Sequence, residues 1–302
     1  MSNDSLSLHS GSLCDAVTRT TEAALASGAL ERIDTEAHVV VDGGVRFVVR
    51  RVSSLTRKPR RSPPSAGNAA AADPFLPHDP ALFVTDISST HRVLLNKYPV
   101  LDRHLLIVTR DFEHQEDMLG QRDFQALAAC MAECDGLAFY NAGRAAGASQ
   151  DHKHLQLAPL RLGAAADEVP IQPLLREPRL LGGVGVAPLL PFRHAYGELP
   201  SGTWSDPRAA GDFLLTLYRK LCRATGIEEA RVVSERRQSG PYNLLLMREW
   251  MLLVPRSRER FDSISINALA FAGSFFVKDD AQLERVRQAG PIAILREVSS
   301  PD

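Results

Sequence analysis

The sequence has few cysteines, little net charge and no long apolar run. Its four cysteines among 302 residues are not spaced in pairs, so we expect a reducing compartment and no disulfide framework. The formal net charge of −1 excludes an overall field that attracts nucleic acid or acidic membranes, so any phosphate must be bound by local groups. There is no apolar run of about 18 residues and no charged N-terminal segment followed by an apolar core. We therefore expect a cytoplasmic globular protein without nucleic-acid or membrane partners.

The most informative stretch is residues 139–160, which read FYNAGRAAGASQDHKHLQLAPL. It combines the end of an apolar strand, a loop of small residues over 143–150, and a second strand. Such a loop lets backbone N–H groups approach a bound anion such as a phosphate. Alternate residues of a strand share a face, so His152, His154 and Gln156 are predicted to lie side by side.

Three interpretations of the histidine pair are open. Lone strand histidines are usually structural, and two imidazoles at this spacing also suit a metal ion. Gln156 argues against a metal because amides are poor zinc ligands, and the nearby carboxylate of Asp151 points to the opposite face. A histidine nucleophile beside a phosphate loop accounts for every part, because imidazole can attack phosphorus. We favour the nucleophile and predict no metal site.

The rest of the chain reads as short strands with few helices. Helices are predicted over residues 12–31, 121–135, 207–225 and 280–289. Strands are predicted as a hairpin over 38–52, three runs within 81–109, and further runs over 230–234, 242–248, 250–254, 271–279 and 292–297. Because most strands neighbour other strands, the pattern favours an α+β fold with a mostly antiparallel sheet. The Pro-rich residues 53–80 and 162–192 are predicted to be an irregular loop and a linker.

The segment FYNAGRAAGASQDHKHLQ resembles the His-x-His-x-Gln signature of diadenosine tetraphosphate phosphorylases, also called ATP adenylyltransferases. This family belongs to the galactose-1-phosphate uridylyltransferase-like branch of the histidine-triad superfamily. Further segments resemble the family in the family's order: DPFLPHDPALFV and those at residues 96–112, 241–257 and 265–279. Together these segments cover most of the chain.

The resemblance implies that two histidine-triad-like halves are fused on one chain. We place the half with the nucleophile motif at residues 1–165, a Pro/Gly-rich linker at 166–192 and an ATP-adenylyltransferase-like half at 193–302. The length and a composition of 44% hydrophobic and 24% charged residues are compatible with two modest domains.

The resemblance also implies roles for individual residues. His154, the second histidine of the motif, would be the nucleophile, His152 would orient it, and Gln156 would steady the phosphoryl group. The expected substrate and phosphate contacts are Lys58, Asn96, Lys97, Asn141, Gly147, Ala148, Ser149, Gln150, Asn267, Ser274 and Lys278.

The implied activity is reversible phosphorolysis of diadenosine tetraphosphate to ATP and ADP through a nucleotidyl-histidine. The expected partners are therefore small molecules: dinucleoside polyphosphates, ATP, ADP and phosphate. Gln156 stands where hydrolases of the superfamily have a third histidine. Unlike histidine, an amide cannot take up a proton and pass it on at neutral pH. A dinucleoside polyphosphate hydrolase, metal-dependent or not, and a catalytically inactive nucleotide-binding protein remain alternatives. We expect no covalent cofactor, allow a divalent cation such as Mg²⁺ with the nucleotide, and leave the oligomeric state open, with a monomer compatible.

Overall fold

The structure is a computed structural model that describes residues 6–8, 11–52, 73–160, 162, 169–232 and 235–301. Apolar runs separated by turns form its strands, as the sequence predicts. In chain order the strands are β1 (Thr35–Asp42), β2 (Val45–Val52), β3 (Phe83–Asp86), β4 (His91–Leu95), β5 (Leu105–Thr109), β6 (Leu137–Ala142), β7 (His154–Ala158), β8 (Arg179–Leu181), β9 (Val184–Val186), β10 (Ala195–Glu198), β11 (Glu229–Val232), β12 (Glu235–Gln238), β13 (Tyr242–Leu246), β14 (Trp250–Pro255), β15 (Arg260–Phe261), β16 (Ile264–Ser265) and β17 (Ser274–Val277).

Six α-helices lie in the part of the chain that the structure describes. They are α1 (Leu13–Ser27), α2 (Gln121–Glu133), α3 (Pro207–Ala224), α4 (Ala268–Phe271), α5 (Asp280–Ala289) and α6 (Pro291–Val298). Among these described helices, none is both long enough and apolar enough to cross a membrane.

A ten-stranded antiparallel sheet runs through both halves of the chain. Its strand order is β3-β4-β5-β7-β6-β13-β14-β10-β9-β8, so the halves meet where β6 pairs with β13. A second sheet has the order β1-β2-β17, in which β2 and β17 are parallel. The predicted α+β fold with a mostly antiparallel sheet and two fused halves is confirmed.

The two faces of the large sheet are covered by different layers. One face packs against α1, α2 and α3, and residues such as Leu155 and Leu157 of β7 are buried there. The other face is covered over part of its area by β17, α4, α5 and α6. Because β7 alternates, His154 and Gln156 project from the face opposite to the two leucines, as predicted.

Two predictions about this fold are wrong. Residues 292–297 are not a strand but part of α6, which begins at Pro291 and buries Ile294, Leu295 and Val298. Its first turn is held by the Asp42 carboxylate, which accepts a hydrogen bond from the Ile292 N–H at 2.9 Å. The two residues are 250 positions apart in the sequence, so a local pattern of apolar residues cannot predict this contact.

The Pro-rich stretch 162–192 is also more than a linker. Its residues form the β8–β9 hairpin at one edge of the large sheet. Apolar side chains on both sides of that hairpin, including Ile171, Leu174 and Leu190, are buried in the core. Prolines and glycines interrupt regular elements but leave neighbouring leucines and isoleucines able to pack. The boundaries that we place around this segment stay a prediction.

Gly211 tests the packing of the helix layer. A Cβ atom there would lie 2.6 Å from Cγ and 2.8 Å from the backbone N and Cα of Gln125, so α2 and α3 touch. Gly211→Ala should lower the free energy of unfolding by about 1 kcal/mol or more, because the clash outweighs the helix propensity of alanine. Urea denaturation measures this.

The matched control is Gly202→Ala, since a Cβ at Gly202 would meet nothing within 4 Å. It should change the free energy of unfolding by less than about 0.5 kcal/mol. A Gly211→Ala protein as stable as the wild type would contradict the close approach of the helices.

Candidate active site

The backbone of His154 is clamped by a glutamine side chain. His154 pairs with Val108 of β5 at the start of β7. Its N–H donates to Oε1 of Gln115 at 2.8 Å. Nε2 of Gln115 in turn donates to the carbonyl of Asn141 at 2.9 Å and to that of His154 at 3.3 Å. The buried Gln115 amide therefore bridges β6 and the first residue of β7, and it fixes the position of the His154 backbone from which the imidazole projects.

The ring of His154 is held in one tautomer. Nδ1 lies 2.8 Å from the carbonyl oxygen of His152, which can only accept, so Nδ1 carries the proton. Nε2 then has a free lone pair, and it has no hydrogen-bond partner within the described residues. Burial lowers the pKa of His154 to about 4, although the bond to the His152 carbonyl opposes this. At neutral pH the side chain is a neutral imidazole with one nitrogen available for attack.

The His152 side chain is itself held by hydrogen bonds, which keep its backbone carbonyl next to Nδ1 of His154. Its Nδ1 lies 2.7 Å from Oδ2 of Asp73, and its Nε2 lies 2.9 Å from both the hydroxyl and the carbonyl oxygen of Thr109. The ring of Phe75 packs against both imidazoles, with centroids 5.5 Å from His152 and 5.3 Å from His154. Both ring nitrogens of His152 are thus engaged within the protein.

Gln156 belongs to a second polar chain on the same face. Its Oε1 lies 2.9 Å from Nε2 of His104. Nδ1 of His104 lies 3.2 Å from Nδ2 of Asn96, and the Tyr98 N–H donates to Oδ1 of Asn96 at 3.2 Å. Gln156 of β7, the residue just before β5 and the turn after β4 are therefore linked by one row of hydrogen bonds.

His154 and Gln156 open onto a cavity of about 990 Å³, which reaches the upper end of the size range of ligand pockets. Most of the residues predicted to contact substrate line it, although they come from both halves of the chain. These lining residues are Asn96, Lys97, Asn141, Gly147, Ala148, Ser149, Gln150, Asn267 and Lys278.

Three predicted residues are not placed at this cavity. Ser274 is fully buried in β17 and does not line the cavity, so the structure does not bring this side chain to the expected substrate contact. His152 does not line it either, and it acts on His154 through its backbone carbonyl. Lys58 lies outside the described residues.

The small-residue loop uses glycine where glycine is required. Gly147 has a φ of 90°, and a Cβ there would lie 2.8 Å from the Cβ of Asn267. The N–H groups of Gly147 and Ala148 are bonded inside the loop, to the carbonyls of Arg144 and Gly143. Across the described residues, the N–H groups of Ser149 and Gln150 have no such partner. Of the four backbone N–H groups from Gly147 to Gln150, only the last two are therefore left to bind an anion.

Two lysines supply uncompensated positive charge. Lys97 and Lys278 are exposed at the cavity and have no carboxylate partner among the described residues. By contrast, Nη2 of Arg144 donates to both carboxylate oxygens of Asp151 at 2.7 and 2.8 Å, and Nη2 of Arg260 lies 3.3 Å from Oε1 of Glu259. The lysines are the cations best placed to receive a phosphate.

A buried network ties the loop to the second half. Oδ1 of Asn141 accepts from Nδ2 of Asn243 at 2.8 Å and from the Ala268 N–H at 2.9 Å. Asn243 also donates to the Ala146 carbonyl at 2.8 Å and accepts from Nη1 of Arg256 at 2.6 Å. Burial lowers the pKa of Arg256 to about 9, so it remains a cation at neutral pH. The Asn141 amide is therefore fixed with its NH₂ group away from these donors.

Several residues of the site carry no strong local signal in the sequence. Asp73 and Phe75 open the family-like segment DPFLPHDPALFV, and His104 lies in another such segment, so resemblance could have found them. Gln115 and Arg256 are single polar residues whose roles appear only when distant elements meet. Within the described residues, no group of three or more His, Cys, Asp or Glu side chains is placed to hold a metal ion. The absence of a metal site stays a prediction, as does a divalent cation carried by the nucleotide.

Comparisons with known proteins agree with this fold. Residues 3–177 match the family model of the Ap4A phosphorylase N-terminal domain, and residues 188–301 match that of the ATP adenylyltransferase C-terminal domain. Diadenosine 5',5'''-P1,P4-tetraphosphate phosphorylase 2 of Saccharomyces cerevisiae is 29% identical over 267 residues, 80% of this chain and 79% of that protein. Protein APA1 of the same yeast is 26% identical over 295 residues, 88% and 87% of the two chains.

The crystal structure of yeast Ap4A phosphorylase Apa2 is similar along almost its whole length. It has a TM-score of 0.77 and 25% identity, and the match covers 97% of this chain and 99% of that one. The two proteins therefore share an α+β fold that is built on a large antiparallel sheet. Because one family model covers more than half of the chain and a second covers most of the remainder, the chain belongs to the Ap4A phosphorylase family.

The protonation of His154 can be tested directly. Because burial holds its pKa at about 4, the ring should stay neutral at every pH above 5. Side-chain NMR shifts, assigned with a His154→Asn variant, should therefore show no titration of this ring between pH 5 and pH 8. A titration midpoint near the ordinary value of about 6.5 would contradict the buried, single-tautomer ring.

Proposed function

We propose that this protein catalyses the reversible phosphorolysis of diadenosine tetraphosphate to ATP and ADP by nucleotidyl transfer. The observation that carries the proposal is the free Nε2 of a neutral His154 at a cavity that also presents Lys97, Lys278 and amide donors. This set suits a polyphosphate substrate and a nucleophile that attacks phosphorus. The name of the yeast relative diadenosine 5',5'''-P1,P4-tetraphosphate phosphorylase 2 supports the same activity.

In the first step Nε2 of His154 attacks the α-phosphorus. An N–P bond forms while the bond to the bridging oxygen breaks, and ATP leaves. The His154 Nδ1–H bond to the His152 carbonyl persists and stabilises the positive charge that the ring gains. Because negative charge spreads over the non-bridging oxygens, fixed donors matter more here than an acid or base.

In the second step inorganic phosphate attacks the nucleotidyl-histidine. A phosphate oxygen bonds to phosphorus, the N–P bond breaks, and ADP leaves with His154 neutral again. Phosphate arrives as an anion and needs mainly cations and N–H groups to place it. The exposed Lys97 and Lys278 and the N–H groups of Ser149 and Gln150 supply both.

Hydrolysis is less well supported by the same site. Water is a weak nucleophile and gains from a base that removes its proton, and the Gln156 amide cannot act as that base. His104 lies beyond Gln156 with Nε2 directed at the Gln156 oxygen, so it does not take the place of a third catalytic histidine.

One assay separates phosphorolysis from hydrolysis. Diadenosine tetraphosphate is incubated with the protein at increasing phosphate concentrations, and the products are separated by chromatography. We expect ATP and ADP at a rate that rises with phosphate and saturates, because phosphate is the second substrate. Without phosphate, the release of ATP should stop after about one equivalent per active site.

Two variants control this assay. His154→Ala should abolish product formation, which excludes a contaminating hydrolase. Gln156→His should raise the fraction of AMP, because a histidine at this position can accept the proton of water. Continuous release of ATP and AMP by the wild type in phosphate-free buffer would overturn phosphorolysis in favour of hydrolysis.

A further inference from the structure

The orientation of the Gln156 amide is determined by a chain of hydrogen bonds that begins at a backbone group. The Tyr98 N–H can only donate, and it donates to Oδ1 of Asn96. The other end of the Asn96 amide, Nδ2, therefore faces Nδ1 of His104 at 3.2 Å. Because Nδ2 donates, Nδ1 of His104 must accept.

This assigns the tautomer of His104. With Nδ1 accepting, the proton of the neutral ring is on Nε2, which donates to Oε1 of Gln156 at 2.9 Å. The Gln156 NH₂ group is then the end left for the cavity, and it has no hydrogen-bond partner within the described residues. A backbone hydrogen bond also keeps Asn96 beside His104, since the Asn96 N–H donates to the His104 carbonyl at 3.0 Å.

The polarity of this amide matters for a phosphoryl group. An NH₂ end attracts the non-bridging oxygens, whereas a reversed amide would present an oxygen lone pair to them. Asn141 is fixed with the same polarity, because its Oδ1 accepts from the Ala268 N–H. Two amides at the cavity thus share one orientation, but only that of Gln156 depends on a histidine.

We propose that His104 is a positioning residue for the transfer reaction: its Nε2–H holds the Gln156 oxygen, so that the Gln156 NH₂ group faces the phosphoryl oxygens. This inference rests on the proposed function and adds a determinant outside the His-x-His-x-Gln motif. His104 is buried, with 7% of its surface exposed, and its ring also packs against Phe139 with centroids 5.6 Å apart. The role does not require His104 to change its charge.

Two substitutions of His104 separate this role from simple packing. The amide nitrogen of Gln can take the place of Nε2 and keep the donor to Gln156. The shorter Asn places its amide near Nδ1, so it keeps the bond to Asn96 but loses that donor. His104→Asn should lower kcat by roughly 10- to 100-fold with little change in KM, as for other residues that orient a reacting group. His104→Gln should stay within about threefold of the wild type.

The decisive comparison is made in a Gln156→Ala background. There His104→Asn should lower kcat by less than about threefold, because its effect passes through an amide that is absent. Thermal unfolding of each variant checks the fold. If His104→Asn does not fold, His104→Leu, which fills the space without either polar atom, replaces it in both backgrounds with the same expected result.

The outcomes separate the two proposals. A wild-type protein without phosphate-dependent transfer overturns the proposed function, and with it this role of His104. If the wild type is active, three results would overturn the role of His104 alone. These are full kcat in His104→Asn, a loss in His104→Gln as large as that in His104→Asn, and an equally large loss from His104→Asn in the Gln156→Ala background.

Discussion

The site depends on the hydrogen bond from Nδ1 of His154 to the carbonyl of His152, at 2.8 Å. It places the ring proton on Nδ1, so Nε2 keeps a lone pair that no group of the described residues engages. The bond requires the backbone at His152, two residues before the start of β7, to stay in place, and Asp73, Thr109 and the Phe75 ring hold the His152 side chain there. Burial adds a second condition, because it keeps the ring neutral and therefore nucleophilic.

The second half of the chain contributes residues that line the cavity, whereas the proposed nucleophile comes from the first half. It joins the first half through the β6–β13 pairing, which sets Asn141 opposite Asn243. From there Arg256 reaches the carbonyls of Ile266, Arg258 and Val298, so one buried cation holds together the loops after β14 and the C-terminal helix. With no carboxylate hydrogen-bonded to it in the described residues, Arg256 is satisfied by carbonyl and amide oxygens and by the face of Phe271. This network positions Asn141 and Asn267 against the small-residue loop.

Local patterns in the sequence predicted the elements that depend on local physics. Period-two alternation in HKHLQL correctly placed Leu155 and Leu157 in the core and His154 with Gln156 on the other face. Strand neighbours along the chain correctly indicated an antiparallel α+β fold. Residues 292–297 were misassigned because isoleucines favour strands, whereas Pro291 and the distant Asp42 start a helix there.

The site was predictable only in part. The motif indicated the proposed nucleophile and its neighbours, and the resemblance indicated residues of both halves that the fold then brings to one cavity. Orientation was not predictable, because it comes from pairs far apart in sequence such as Gln115 with His154 and His104 with Gln156. For the same reason Ser274 was expected at the substrate although β17 turns it into the core.

The most direct measurement is mass spectrometry of the protein after reaction with diadenosine tetraphosphate in phosphate-free buffer. A single AMP group should be found on the peptide that contains His154, and added phosphate should release it as ADP. His154→Ala should carry no group and lose roughly a thousandfold or more in turnover, whereas His152→Ala should keep the modification and lose about 10- to 100-fold. AMP attached to His152, or turnover without any covalent adduct, would contradict the assignment of His154 as the nucleophile.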